Sequence, residues 1–428
     1  MNVLDAAIHR IEYIFENFEH VCVSVSGGKD SGVLVQLVNK VAAKKKCKFD
    51  IMILDIEANY TTTVQFQERC EELENINQVY HFCLPFYEDN NSSIFEPQWI
   101  MWNPEDENRW IHPLPKNAIT LSNLPQSLKK YFLKANGNPD NFLRLFNQWY
   151  YEIHNEEAVA VGVGIRTQES LNRYRAIHRY KKNKFRGKIW INHYMHEIYN
   201  FYPLFDWKCE DIWKATAELD LDYNTIYDKM FKMGVAIKEM RICQPFGLVQ
   251  RKGLNQFAIL EPELWEKLVN RVSGANFGCL YAKTSLLGYV KSNKPKHMSW
   301  QKYTLFLLET YGIYSEQLRD HYYRKIKILM SYYEKNFNMK VEDMVDEATR
   351  KEWLKDERLW NNWKGIARAL EKNDFAFSSR EYSLTRKDEQ ELYQLFDTYH
   401  GVLGLENLNG KIYEQIIEDI LIKKEKKV

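Results

Sequence analysis

Ser24-Val25-Ser26-Gly27-Gly28-Lys29-Asp30-Ser31 gathers three serines, a glycine pair, a lysine and an aspartate into eight positions. The string follows the apolar run Val21-Cys22-Val23 and leads into Gly32-Val33-Leu34-Val35-Gln36-Leu37-Val38, a pattern of strand, tight turn and helix. Such a turn leaves several backbone N–H groups aimed at one point, with the partial positive charge of the helix N-terminus behind them. The chemistry this suits is phosphate binding, against the alternative of a plain Ser/Gly turn. It is not the common P-loop, which places four residues between its glycines and ends Gly-Lys-Ser/Thr.

Three further strings carry chemistry. Leu54-Asp55-Ile56-Glu57-Ala58-Asn59 sets two carboxylates where they could hold Mg²⁺ or ribose hydroxyls, or simply cap a turn. Gly162-Val163-Gly164-Ile165-Arg166 offers glycines that admit a ligand close to the backbone and an arginine able to fork onto phosphate or sulfate. A basic run follows, from Arg173, Arg175, Arg179, Lys181, Lys182 and Lys184 to Arg186 and Lys188, with Tyr174, His178, Tyr180 and Phe185 interleaved. This run, 173–188, reads either as a charged lid over the site or as a single-stranded nucleic-acid contact. In Tyr202-Pro203-Leu204-Phe205-Asp206-Trp207, Asp206 is expected to cap the helix that opens at Trp207. His193 and His196, with no third ligand in view, read as surface or packing residues.

The elements that must position these residues alternate. Helical spacing over 4–18 precedes the first strand; Phe49–Leu54 and Val79–Leu84 read as buried strands, with a helix from Thr61 to Leu73 between them. Ala158–Val163 and Phe201–Leu204 supply a fourth and a short fifth strand, followed by a helix at 210–219. A parallel sheet covered by helices on both faces is the expected α/β architecture. From Phe86 to about Leu124 the periodicity fails in a Trp-rich stretch, and a helix over 142–149 closes an insertion spanning about 86–150. Beyond Pro245 the helical spacing and the abundance of Lys and Glu predict a mostly α-helical second domain. The expected domains are therefore 1–245 and 246–428.

The string of 24–31 resembles the PP-loop, SGGxDS, of the ATP pyrophosphatase superfamily. With Gly164-Ile165-Arg166-Thr167-Gln168-Glu169-Ser170 and Pro203-Leu204-Phe205-Asp206-Trp207 through Asp211-Ile212-Trp213, in that order, the chain resembles the phosphoadenosine phosphosulfate (PAPS) reductase-like proteins. Tyr223-Asn224-Thr225-Ile226-Tyr227-Asp228 and Met240-Arg241-Ile242 extend the likeness to members carrying a C-terminal domain of unknown function, among them the immunoglobulin-binding regulator A proteins. The resemblance implies an adenine nucleotide alpha-hydrolase-like, Rossmann-like sheet. It also implies a nucleotide cradle of Ser24, Ser26, Gly27, Gly28 and Ser31, joined by Asp55, Glu57, Gly164 and Arg241. Lys29, Asp30 and Arg166 are the implied catalytic residues, and Mg²⁺ on Asp30 and Asp55 the implied metal. Arg241 is either a second anion contact or half of a structural salt bridge.

The likeness stops short of the reductase reaction. That chemistry needs a thiolate from a C-terminal E-C-G-x-H string, and no cysteine follows Cys279. The complete SGGKDS string suits a triphosphate, so the expected ligand is ATP, cleaved to AMP and pyrophosphate while an unknown acceptor is adenylated. A nucleotide- or PAPS-sensing regulator without turnover and a nucleic-acid modification enzyme are the competing expectations. The 59 basic and 58 acidic residues of the 428 leave no global field to attract a polyanion. Seven scattered cysteines, none spaced C-x-x-C, argue against disulfide frameworks, zinc ribbons and iron–sulfur cradles. With no signal-like or membrane-spanning N-terminal run, the expected location is the cytoplasm. The helical domain is left to bind a partner, close over the site or build a homodimer.

Overall fold

The computed structural model describes residues 2–90, 98–178, 184–242, 245–246, 254–272, 274–275, 294–383 and 385–403. The chain divides into two compact units. The first comprises Met1–Glu88, Trp99–Pro245 and Gln256–Arg271, and the second Asp89–Gln98, Phe246–Asn255 and Val272–Val428. Gln256–Arg271 thus belongs with the first unit although it lies beyond the join expected near Pro245.

The first unit opens with helix α1 (Val3–Asn17), capped by the Asn2 side chain, which accepts from the Asp5 amide at 2.8 Å. Its Ala7, Ile11 and Ile14, at helical spacing, are fully buried. Strand β1 (His20–Ser24) then leads into α2 (Lys29–Lys45), β2 (Phe49–Leu54), α3 (Thr61–Glu71) and β3 (Ile76–Phe82). β4 (Phe86–Asp89) and β5 (Gln98–Met101) form a separate two-stranded ribbon, and β6 (Ala118–Ile119) returns to the main sheet. Helices α4 (Gln126–Ala135) and α5 (Pro139–Ile153) precede β7 (Val159–Val163) and α6 (Leu171–His178). β8 (Ile191–Met195), β9 (Ile198–Phe201), α7 (Cys209–Glu218) and α8 (Ile226–Lys232) follow.

The main sheet has seven strands in the order β6-β3-β2-β1-β7-β9-β8. All neighbours are parallel except the β9–β8 edge pair. Interior strands such as β2, Phe-Asp-Ile-Met-Ile-Leu, are near-continuous apolar runs because helices cover the parallel sheet on both faces. β1 lies between β2 and β7, so the chain leaves it toward one side first and toward the other later. That makes the carboxyl ends of β1 and β7 the topological switch point, where open α/β sheets bind ligands. The register pairs Ser24 with Val163, so both following loops leave the sheet side by side.

One local expectation is corrected, and two regions carry elements the sequence did not show. The fifth strand is Ile198–Phe201, ending before Pro203, because Tyr202–Phe205 turns back with the Phe205 amide on the Tyr202 carbonyl. Its antiparallel partner β8 went unread, since Ile-Asn-His-Tyr-Met lacks an apolar run. The first part of the insertion holds the short strands β4, β5 and β6 and a 3₁₀ turn over Pro104–Arg109, and its α-helices are α4 and α5. α5 packs on β3 through aromatic edges, with Phe82 5.0 Å from Phe142 and 5.4 Å from Phe146.

The second unit contains helices Trp300–Tyr314, Glu316–Phe337, Arg350–Trp353, Trp363–Glu371 and Arg386–Leu403. Leu308, Tyr322, Leu329, Trp363, Ile366, Leu370 and Phe377 form its core. Asn362 caps Trp363–Glu371, accepting from the Gly365 amide at 3.0 Å. Among the described residues, no helix is long and apolar enough to cross a membrane. The described cysteines, Cys22, Cys47, Cys70, Cys83 and Cys209, are free thiols. Cys243, Cys279, Arg179, Tyr180, Lys181 and Lys182 lie outside the described residues.

Candidate functional site

The loop between β1 and α2 has the turn its glycines imply. Gly27 sits at φ +74°, a left-handed conformation that disfavours any side chain, and a Cβ there would lie 2.6 Å from Thr63 Cγ2. Gly28 is the N-cap of α2 and provides no capping side chain. Ser31 turns back instead: its Oγ accepts from the Ser26 amide at 3.2 Å, donates to the Gly28 carbonyl at 3.1 Å and lies 3.0 Å from Ser26 Oγ. The Lys29 amide donates to Tyr227 Oη at 3.0 Å. The amides of Gly27, Gly28, Asp30 and Ser31 have no acceptor among the described residues. They lie at and just before the N-terminus of α2, where backbone donors have no intrahelical acceptor.

The loop after β7 closes on this nest. A Cβ on Gly164 would lie 2.8 Å from both the N and Cα of Ser31, so glycine is what lets the two backbones meet. Arg166 follows, almost wholly buried, with its Nε on Asp30 Oδ1 at 2.5 Å and on Glu169 Oε1 at 3.7 Å. Burial disfavours the guanidinium charge, yet the Asp30 carboxylate outweighs it and raises the arginine pKa. Lys29, 8% exposed, reaches the Met240 carbonyl at 3.2 Å and Asp30 Oδ2 at 3.4 Å, beside the Tyr227 ring. The exposed Arg241 donates to the Glu169 carbonyl at 3.4 Å, next to Arg166, and forms no ion pair among the described residues. Lys29, Asp30, Arg166, Gly164 and Arg241 are therefore drawn together with Ser26–Ser31. Ser24 ends β1 in the sheet, beside them.

Asp55 and Glu57 stand apart. Both are fully buried, so neither is part of a solvated turn. The Trp-rich insertion covers them: the Trp102 indole donates to the Asp55 carbonyl at 2.9 Å, and the Trp102 amide donates to Glu57 Oε2 at 2.5 Å. Glu57 is forked by Arg271 at 2.8 and 3.2 Å and accepts from the Ile111 amide at 3.3 Å. Burial raises its pKa in spite of that partner. Asp55 faces His81 Nε2 at 3.5 Å and His112 Nε2 at 3.4 Å. Burial alone would raise the Asp55 carboxyl, but His112 and His81 outweigh it and hold it well below the usual range. A Mg²⁺ ion shared by Asp30 and Asp55 does not fit, because Asp30 is engaged by Arg166 and Lys29 while Asp55 looks into nitrogen and sulfur donors. Magnesium prefers oxygen.

Asp206 does not cap a helix. Arg10 holds it bidentately at 2.7 and 2.6 Å, and α7 is capped by Asp211, whose Oδ2 accepts from the Lys208 amide at 2.7 Å. The basic run is partly spoken for: Arg173 pairs with Glu169 at 2.9 Å, Arg186 donates to Asn17 at 2.6 Å, and Lys184 donates to the Ile189 carbonyl at 3.0 Å. His193 is bonded through Nε2 to the His196 carbonyl, a packing role. Sequence reasoning gave no role to Tyr227 or Asn224. Asn224 Nδ2 donates to the Gly27 carbonyl at 3.1 Å and to Thr63 Oγ1 at 2.8 Å, fixing the loop from behind. The Tyr-Asn-Thr-Ile-Tyr string was visible, but nothing in it showed that it folds onto residues nearly two hundred positions earlier.

An amide nest at the first strand's carboxyl end, opposed by an arginine across the switch point, defines a PP-loop nucleotide-binding fold. Residues 20–234 match the phosphoadenosine phosphosulfate reductase domain, and residues 234–375 match a domain of unknown function, DUF3440. The chain belongs to the PAPS reductase-domain family, in the branch that carries this second domain. It is 32% identical over 400 residues to the uncharacterized protein YbdN of Escherichia coli (strain K12), covering 92% of this chain and 93% of that one. It is 25% identical over 209 residues to the uncharacterized protein MJ0973 of Methanocaldococcus jannaschii, covering 49% of this chain and 38% of that one. Among solved structures, a PAPS reductase from Candida auris in a phosphate complex matches with a TM-score of 0.29 and 13% identity, over 52% of this chain and 84% of that one.

Proposed function

We propose that the chain binds ATP at Ser26–Ser31 and cleaves it between the α and β phosphates, adenylating an acceptor and releasing pyrophosphate. An acceptor oxygen or sulfur attacks the α phosphorus. The bond from that phosphorus to the bridging oxygen breaks, and pyrophosphate leaves with the electron pair. The observation that carries this reading is the set of unpartnered amides at the start of α2, with Lys29 and Arg166 beside them. Amides and cations held in place beforehand stabilise charge that develops on a leaving group. Lys29, exchanging the Met240 carbonyl for phosphate oxygens, neutralises the pyrophosphate. Arg166, oriented by Asp30 and Glu169, holds the α phosphate or the acceptor. Arg241 lies where it adds a further cation.

On this reading residues 1–245 carry the chemistry, and 246–428 serve the acceptor or a partner. Thiol-dependent PAPS reduction is not supported, since no cysteine follows Cys279. The Cys209 thiol is also pushed up by burial. The test is pyrophosphate release from ATP by the full chain, across a panel of sulfur and oxygen acceptors. Release that disappears in Lys29→Ala supports the reading; ATP binding without release under any acceptor favours a nucleotide-sensing regulator.

A further inference from the structure

We propose that Asp55, His81 and Cys83 bind a divalent transition-metal ion of the zinc class, in a buried site separate from the PP-loop. Asp55 follows β2, while His81 and Cys83 flank Phe82, the residue paired with Leu54 in the parallel register. Two residues apart along an extended chain, His81 and Cys83 share one face, the one turned toward Asp55. Asp55 and His81 are fully buried and Cys83 is 2% exposed, and their ligand atoms all lie within 4.8 Å of one another.

Two of these atoms lack any hydrogen-bond partner among the described residues. Asp55 Oδ2 and His81 Nε2 are both buried and lie 3.5 Å apart, a charge pair that makes no hydrogen bond. Buried polar atoms without a hydrogen bond are costly, and an ion held between these two would satisfy both. Ligands held at about 2.0–2.1 Å from a tetrahedral zinc lie about 3.3 Å apart, close to the spacing seen.

The surrounding groups orient the three ligands as metal-binding residues are usually oriented. His81 Nδ1 is bonded to Glu71 Oε1, and the other Glu71 oxygen accepts from Asn117 Nδ2 at 2.6 Å. Asp55 Oδ1 is already occupied by the Glu57 amide at 2.7 Å and by Asn59 Nδ2 at 3.1 Å, so Oδ2 is the oxygen left to bind. His112 Nε2, also without a hydrogen bond, lies 3.4 Å from Asp55 Oδ1, with its Nδ1 on the Pro113 carbonyl at 2.9 Å. One carboxylate oxygen, one imidazole and one thiol select zinc-like ions over magnesium or calcium. Cys83 binds as the thiolate and releases its proton on metal uptake. Adenylyl transfer at the PP-loop is not needed for this assignment.

The test uses the folded full chain, stripped with a chelator and titrated with Zn²⁺, Co²⁺ or Mg²⁺ alone. Zn²⁺ is expected to bind at about one ion per chain and to raise the thermal midpoint, while Mg²⁺ leaves it unchanged. Co²⁺ is expected to give a thiolate-to-cobalt charge-transfer band that is lost in Cys83→Ser, and Glu71→Gln is expected to weaken Zn²⁺ binding about 10–100-fold. Should a variant fail to fold, the wild-type titrations stand alone. A folded wild-type chain that shows no charge-transfer band, or a band that survives in Cys83→Ser, overturns the assignment.

Discussion

In the helical unit, His321 is held on both ring nitrogens, by Glu391 at 2.6 Å and by the Phe375 carbonyl at 2.8 Å. Lys325 lies 3.0 Å from Asp388, and Arg324 contacts Asp388 and Glu391 together. In the α/β unit, Asp55, His81 and Cys83 face one another with no lysine or arginine between them. Both clusters bury a histidine among acidic groups. One supplies its cations from its own helices, while the other leaves Asp55 Oδ2 and His81 Nε2 without hydrogen bonds among the described residues. The difference separates a cluster whose charges are met by lysine and arginine from one whose buried ligand atoms lack hydrogen bonds.

The largest expected effect falls on the α/β unit. Lys29→Ala should lower the rate of pyrophosphate formation about 10²–10³-fold, roughly 3–4 kcal/mol, without altering the circular dichroism spectrum. An unchanged rate would remove the PP-loop from the chemistry. In the helical unit, Lys325→Met leaves the fully buried Asp388 short of a counter-charge and should cost about 3 kcal/mol in urea unfolding. ATP affinity should stay the same, and a parallel loss of affinity would show that the clusters do not differ as described.

Gly164→Ala places a methyl group 2.8 Å from the Ser31 backbone. It should weaken ATP binding and cost about 1–3 kcal/mol of stability, as overpacking does; a neutral result would mean that the two loops are not held together. The smallest effect is acid dependence. Burial alone would raise the Asp388 carboxyl, but Arg324, the Thr385 amide and Lys325 outweigh it and bring it down to about 2. A depressed carboxyl contributes stability that is fully present above its unfolded pKa of about 3.9 and lost as pH falls through the folded value. The stability gap between the wild type and Asp388→Asn should therefore be flat from pH 7 to about 4 and close between about 4 and 2. A gap that closes well above pH 5 would contradict the pairing.

The strand order that sets the switch point was not legible in the sequence, but the parallel sheet was, because strands buried on both faces appear as apolar runs and the PP-loop string is local. The nest of 26–31 and the arginine after β7 were legible for the same reason. What could not be read was non-local. Asp55 and Glu57 read as Mg²⁺ or ribose ligands because nothing in Trp99–Ile111 announces that it folds over them. His81 sat inside an apolar strand, and its Glu71 partner was hidden in a helix. Asp206 looked like a helix cap until Arg10, almost two hundred residues earlier, was found to hold it. β8 escaped because an antiparallel edge strand need bury only one face.

Calorimetric titration of the full chain with ATP and with AMP tests most directly whether the loop of 26–31 grips the terminal phosphates of ATP. The expected result is ATP binding at least about 100-fold tighter than AMP, a preference lost in Lys29→Ala. Equal affinity for ATP and AMP, or a preference that survives in Lys29→Ala, would contradict it.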